Sequence, residues 1–207
     1  MKGMDVVDKP ERTILPQPLE TGGASLLRCI RQRRSVRGFC DRSLTADDLN
    51  RLLWAAQGVT GAGGLRTVPS AGALYPLELY AIVGRVSGVS TGVYRYLAVS
   101  NEIVLITHGF QREKLVEAVH GQDWVATAAA VVCIAAVFAR TTVKYGVRGR
   151  GYVYMEAGHA AQNLMLQAAE LGLGTTMVGA FNDEAVAGLL HLGPDETPLC
   201  LLPVGIP

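Results

Sequence analysis

Arg33-Arg34-Ser35-Val36-Arg37 sets three guanidinium groups and a hydroxyl within five residues. The whole chain of 207 residues has a formal net charge of only +1, with 19 Lys and Arg against 18 Asp and Glu. Cations crowded in this way repel one another unless an anion lies against them. Arg offers planar, forked donors that suit a phosphate, and Ser adds a short donor. The set is sized for about one phosphate group. A phosphate-bearing ligand is therefore expected near the start of the chain.

Two further stretches carry the same kind of hint. Pro69-Ser70-Ala71-Gly72-Ala73-Leu74-Tyr75-Pro76 holds small residues between two prolines, just ahead of a strand pattern. Small side chains let a flat ligand lie against the backbone, and Ser70 can donate to it. An ordinary Gly/Pro loop has the same composition. Gly174-Thr175-Thr176-Met177-Val178-Gly179-Ala180-Phe181 reads as a strand that could end on a bare backbone N–H at Gly179. A plain buried strand would look alike.

Composition narrows the class. The chain is 49% hydrophobic and 18% charged, with 24 Gly. That describes an apolar, lightly charged globular protein. A lightly charged surface rich in Ala and Gly implies burial between subunits, so an oligomer is expected. The near-neutral balance, without a Lys/Arg run, argues against nucleic-acid binding. The most apolar run, Trp124 to Ala139, is too short to span a membrane and reads as a helix end followed by a buried strand. Met1 to Gly23 carries Asp5, Asp8 and Glu11 and lacks a signal-peptide core. Cys29, Cys40, Cys133 and Cys200 are scattered, which fits reduced core residues and a cytoplasmic setting.

Familiar nucleotide and metal motifs are missing. Gly61-Ala62-Gly63-Gly64 follows a helix and Gly172-Leu173-Gly174 leads into a strand, the wrong order for a dinucleotide fingerprint. His108, His120, His159 and His191 lack metal spacing, so no metal is expected. His159 reads as a core or interface histidine.

The pattern of elements predicts one domain. Residues 1–22 read as an extended arm, because Pro10, Pro16 and Pro18 forbid a long helix. Residues 23–207 read as a single α+β domain around a mixed sheet. Helices are expected at 25–33, with Leu26, Leu27 and Ile30 on one face, and from Thr45 through Leu49, Leu52, Leu53 and Ala56. Two more are expected at 110–120 and 183–190. The longest, Tyr152 to Leu171, is small-sided almost all round and therefore expected to be buried. Strands are expected at 77–83, 92–97, 102–107, 131–138, 175–180 and 199–204.

Taken together, the three stretches stand in the order and spacing of the nitroreductase-like flavoprotein family. The resemblance runs from about Ser25 to Val204. It is similar in particular to the branch that includes the azoline dehydrogenases of peptide-modifying systems. Leu52-Leu53-Trp54-Ala55-Ala56-Gln57-Gly58, Ala73-Leu74-Tyr75-Pro76-Leu77-Glu78-Leu79-Tyr80, Gly92-Val93-Tyr94-Arg95-Tyr96 and Met155-Glu156-Ala157-Gly158-His159-Ala160-Ala161-Gln162-Asn163 carry it.

The resemblance implies a three-layer α/β/α fold, a homodimer, and FMN held between subunits. It assigns Arg33 and Ser35 to the phosphate and ribityl chain, and Arg37 to the N1/O2 edge of the flavin. Arg34 is left equally as a phosphate ligand or a surface charge. Pro69, Ser70, Ala71, Gly72, Ala73 and Leu74 would line the ring from the partner subunit, and Val178 and Gly179 would meet N5. Many relatives continue with basic residues where this chain stops at Pro207. Either the Arg cluster holds the phosphate alone, or Arg148 or Arg150 helps. Lys144-Tyr145 resembles a pair regarded as catalytic in the azoline dehydrogenases; a polar loop with a solvated Lys144 is the alternative. The implied activity passes hydride from NAD(P)H, through FMN, to a small organic acceptor such as a nitroaromatic or quinone. Ring dehydrogenation using Lys144 and Tyr145, and flavin binding without turnover, remain open beside it.

Overall fold

The computed structural model describes residues 11–16 and 23–207; the remainder of the expected arm lies outside the described residues. Along the chain run β1 (Arg12–Ile14), α1 (Leu26–Gln32), β2 (Leu44–Thr45), α2 (Ala46–Gln57), β3 (Val59–Gly61), β4 (Leu65–Arg66) and β5 (Leu77–Val83). There follow β6 (Val86–Ser87), β7 (Gly92–Leu97), β8 (Glu102–His108), α3 (Arg112–Ala118), β9 (Ala130–Ala136) and α4 (Phe138–Tyr145). The chain closes with α5 (Arg148–Glu170), β10 (Gly174–Thr175), α6 (Asp183–Leu190) and β11 (Thr197–Gly205).

A seven-stranded sheet in the order β1-β8-β7-β5-β9-β11-β10 forms the middle layer. Its named strands pair antiparallel. Mixed character enters at the outer edge, where Ser35 bridges Thr175 in parallel and the Val36 N–H donates to the Thr175 carbonyl at 3.1 Å. The Arg33–Arg37 segment is thus fastened to the sheet at β10.

Period-two alternation explains the three layers. Leu79, Ala81 and Val83 of β5, with Val132, Ile134 and Leu202, face one core, under α2 and α5. Tyr80 and Ile82, with Val131, Cys133 and Leu201, face the other, under α3 and α6. On α2, Leu49, Leu52, Leu53 and Ala56 are fully buried. Each of these leucines contributes about 2 kcal/mol of apolar burial. A reciprocal cap starts the helix: Thr45 Oγ1 accepts from the Asp48 N–H at 3.0 Å, and Asp48 accepts from the Thr45 N–H at 2.8 Å. All four cysteines are unpaired, and Cys29, Cys133 and Cys200 are buried. No helix among the described residues is long and apolar enough to cross a membrane.

Five expectations change. The α5 helix begins at Arg148, not Tyr152, and the Lys144–Gly149 stretch is the end of α4 and a tight turn at Gly146 (φ 57°) instead of a polar loop. Burial of α5 is one-sided in the single chain. Val153, Ala157, Ala160, Ala161 and Leu164 are buried, while Tyr154, Met155, Gly158, His159 and Gln162 are exposed. Small residues permit close approach, and a Cβ on Gly158 would meet nothing within 4 Å. The edge strand stops after Thr175, and the backbone regains the sheet only at the Val178–Leu201 bridge. Phe138 leaves β9 to open α4, where its ring meets Tyr154 edge-on at 5.4 Å.

Candidate active site

The phosphate-suited cluster begins at the C-terminal end of α1. Arg33 caps that helix, its N–H donating to the Cys29 carbonyl at 2.9 Å, and its side chain is half-buried. Arg34 is committed elsewhere: its Nη1 donates to the Arg31 and Arg33 carbonyls at 2.9 and 2.8 Å. Ser35 and Arg37 are exposed, and the Arg37 guanidinium lies 6.0 Å from the Trp124 ring centroid. A cleft of about 210 Å³ beside them is lined by Arg33, Arg34, Met165, Gly172, Thr175 and Pro207.

Val178 and Gly179 continue the same sheet edge. Val178 and Leu201 exchange backbone hydrogen bonds at 2.8 and 2.9 Å. The Gly179 N–H makes no hydrogen bond among the described residues, and a Cβ there would meet open space. The structure therefore brings Arg33, Ser35, Arg37, Val178 and Gly179 to one edge.

Pro69, Ser70, Ala71, Gly72, Ala73 and Leu74 form a second group. Gly72, Ala73 and Tyr75 take left-handed backbone, with φ of 65°, 54° and 45°. Ser70 braces this turn: its Oγ accepts from the Tyr75 N–H at 2.9 Å, and its carbonyl accepts from the Ala73 N–H at 3.0 Å. Arg140 of α4 donates to the Tyr75 carbonyl at 2.9 Å and to Glu78 at 2.6 Å. Lys144 and Tyr145 close over the loop. A Cβ on Gly72 would lie 2.9 Å from Lys144 Nζ and 2.8 Å from Tyr145 Oη. Tyr145 in turn meets Tyr152 edge-on at 5.2 Å.

Beneath the loop is a cavity of about 260 Å³ lined by Pro69, Ser70, Ala71, Tyr152, Met155, Glu156 and His159. In the sequence Glu156 stands out only as one residue of the Met155–Asn163 phrase. Burial pushes its carboxyl up to about 7, against the opposing pull of Ser70 and Arg66. An acid set between Met155 and Ala157 in the middle of the longest helix was the available signal. His159 is exposed in the single chain rather than in the core.

The two groups meet different stretches of α5. Glu156 serves the loop and Ala169 the Arg cleft. Along α5 their nearest lining residues are His159 and Met165, six residues or about 9 Å apart. One chain therefore holds the two groups in separate clefts. Arg148 and Arg150 stand at the loop end, over the Tyr152 and Phe138 rings at 5.6 and 4.3 Å, and do not reach the Arg33 cleft of their own chain.

The fold is that of a family of oxidoreductases. The nitroreductase family profile matches residues 30–206, and the chain belongs to that family. A protein of Methanocaldococcus jannaschii named as a candidate nitroreductase is 48% identical over 174 residues, 84% of this chain and 87% of that one. The crystal structure of a candidate nitroreductase from Ralstonia eutropha superposes with a TM-score of 0.82 at 28% identity, covering 94% of this chain and 89% of the other. The microcin B17-processing protein McbC of Escherichia coli is 30% identical over 166 residues, 74% of this chain, which spans only 59% of McbC.

Proposed function

We propose that the protein is an FMN-dependent oxidoreductase that takes hydride from NADH or NADPH and reduces a small organic acceptor such as a nitroaromatic or quinone. Family membership supports the flavin. The residues present fit it: an exposed hydroxyl and the free Arg33 guanidinium for one phosphate, a second free guanidinium at Arg37 for the ring edge, and glycine backbones where a flat ring must approach closely. Bound FMN would supply the two-electron chemistry, which no side chain here can perform.

The chain's own groups bind, orient and tune. Arg33 and Ser35 hold the phosphate end. Arg37 supplies positive charge that favours the more electron-rich state of the ring. The Gly179 N–H is a free donor for a ring nitrogen. Pro69–Leu74 form a wall for the ring, and Lys144 and Tyr145 border the substrate's approach.

The observation that carries the reading is the pair of half-sites on opposite stretches of α5. Two copies joined through their uncovered α1 and α5 faces would complete two flavin sites, each using Arg33–Arg37 of one chain and Pro69–Leu74 of the other. The purified protein should be yellow, and its released cofactor should have the mass of FMN. Stopped-flow bleaching by NADH or NADPH then separates turnover from flavin binding alone. A protein that stays colourless in excess FMN overturns the reading.

One observation favours a second activity. Lys144 Nζ and Tyr145 Oη both border Gly72 on the proposed ring wall. That suits a proton acceptor acting while a ring substrate is oxidised, as the likeness of Lys144-Tyr145 to the azoline dehydrogenase pair implies. A thiazoline- or oxazoline-containing peptide oxidised only when Lys144 is intact would select it.

A further inference from the structure

The α4 helix meets the Pro69–Tyr75 loop and its exit at three successive points. At the start of the helix the Val137 N–H donates to the Pro76 carbonyl at 2.8 Å. Near one turn on, Arg140 Nη1 donates to the Tyr75 carbonyl at 2.9 Å. One turn further, Lys144 Nζ borders Gly72. Arg140 and Lys144 are four residues apart and so share a helix face. Tyr75 sits at φ 45° directly before Pro76, a backbone that persists only where its surroundings impose it. Its N–H is held from within the loop by Ser70 Oγ, and its carbonyl from outside by Arg140.

The Arg140 guanidinium is itself fixed. Its Nη2 donates to Glu78 Oε1 at 2.6 Å, and Glu78 Oε2 pairs with Arg95 at 3.0 Å. Arg95 also meets Glu196 Oε1 at 3.3 Å, and Glu196 Oε2 accepts from Tyr80 Oη at 2.6 Å. The charges alternate, so each guanidinium lies against a carboxylate. The Glu78 side chain is 15% exposed, which limits the screening of its pair with Arg140. Both Glu78 oxygens are spent on arginines, so Glu78 reaches the loop through Arg140.

We infer that Arg140 is a positioning residue. One arm of its guanidinium holds the Tyr75 carbonyl, and Glu78 anchors the other on β5. The clamp fixes how α4 presents Lys144 to the Pro69–Tyr75 loop. Its bearing on substrate rests on the reading that Lys144 and this loop border the flavin site; its hold on the loop does not. A planar fork aims two donors at two acceptors in fixed directions, which a single ammonium cannot do.

The test compares full-length wild type with Arg140→Ala, Arg140→Lys, Glu78→Ala and the Arg140→Ala/Glu78→Ala pair. Amide exchange followed by NMR reads the Tyr75 N–H. Steady-state reduction of p-benzoquinone by NADH, at saturating FMN, reads the site. Arg140→Ala should speed Tyr75 exchange about tenfold, the low end for a charge-assisted bond because Arg140 is partly exposed. It should raise the quinone KM about fivefold while kcat stays within about threefold, a split that a loss of stability alone does not produce in folded enzyme. Arg140→Lys keeps the charge without the fork and should recover less than half of either effect. Glu78→Ala should speed Tyr75 exchange about threefold in the wild-type background and add nothing to Arg140→Ala. Wild-type Tyr75 exchange or an unchanged KM in Arg140→Ala overturns the inference. Full recovery by Lys overturns the clamp, and additive losses in the double variant overturn the anchoring by Glu78. If none of the proteins binds FMN, the flavin reading fails, while Tyr75 exchange still decides what Arg140 holds.

Discussion

Gly72 and Lys144 oppose each other across the loop half-site: a Cβ on Gly72 would stand 2.9 Å from Lys144 Nζ, on a backbone at φ 65°. Two costs therefore meet at one position. The amine is the far end of a flexible chain and can swing aside, whereas the left-handed backbone cannot relax without undoing the turn. Gly72→Ala should lower stability by about 1 kcal/mol, mostly through φ. A urea midpoint equal to wild type would mean that the turn is not held as described.

Lys144 and Tyr145 touch the same spot but differ in surroundings. Lys144 is exposed, while Tyr145 packs on Tyr152. For NAD(P)H-driven reduction of a quinone, solvent can supply protons, so Lys144→Ala should change kcat by less than about threefold. For ring oxidation the same substitution should cost on the order of 10²–10⁴, the usual worth of a positioned acid or base. Steady-state rates on both substrate classes separate the two activities. Unchanged turnover on every substrate removes Lys144 from the chemistry.

Arg33 and Arg34 are adjacent yet should behave differently. Arg34 spends its Nη1 on two backbone carbonyls, and Arg33 makes no side-chain hydrogen bond among the described residues. A charge-assisted contact to phosphate is worth about 1.5–3 kcal/mol. Arg33→Ala should therefore weaken FMN binding by roughly ten- to a hundredfold. Arg34→Ala should instead loosen the end of α1 and change affinity by a few-fold at most. Equilibrium titration of cofactor-free protein reads both. Arg37→Ala should also make bound flavin harder to reduce, by about 30 mV for each tenfold change in relative affinity for the two redox states.

Why part of this was legible follows from how local the information is. The α2 helix declares itself through Thr45, Asp48 and the spacing of Leu49, Leu52, Leu53 and Ala56, all set by neighbours within a few residues. The alternation along β5 shows a strand, though not that both its faces are covered. The Arg33–Arg37 cluster was visible because charge density is a property of the linear chain. Its attachment at Thr175 was not, since a single parallel bridge leaves no periodic trace. Glu156 escaped for the converse reason. A carboxyl gains its character from burial and from Ser70, 86 positions away in the chain. The start of α5 was misplaced because Gly149 and Gly151 look like loop residues. Gly149 in fact packs where a Cβ would lie 3.1 Å from the Thr141 carbonyl, so close approach of α4 demands the glycine.

Association should be separable from folding. Leu27 and Ile30 of α1 are 64% and 52% exposed, and Met155 of α5 is 55% exposed. Three large apolar side chains bare on helices of one chain are expected where a second chain covers them. None of them supports the internal core, so charge introduced there should leave the chain folded. Leu27→Asp combined with Ile30→Asp should convert a dimer of about 44 kDa, twice the 22.0 kDa chain, into monomer while the far-ultraviolet circular dichroism is kept. Sedimentation velocity reads the mass. Because each flavin site would draw its two halves from two chains, the monomer should also lose FMN even though Arg33, Ser35 and Ser70 are untouched. A folded monomer that holds FMN as tightly as wild type would place both halves of the site within one chain.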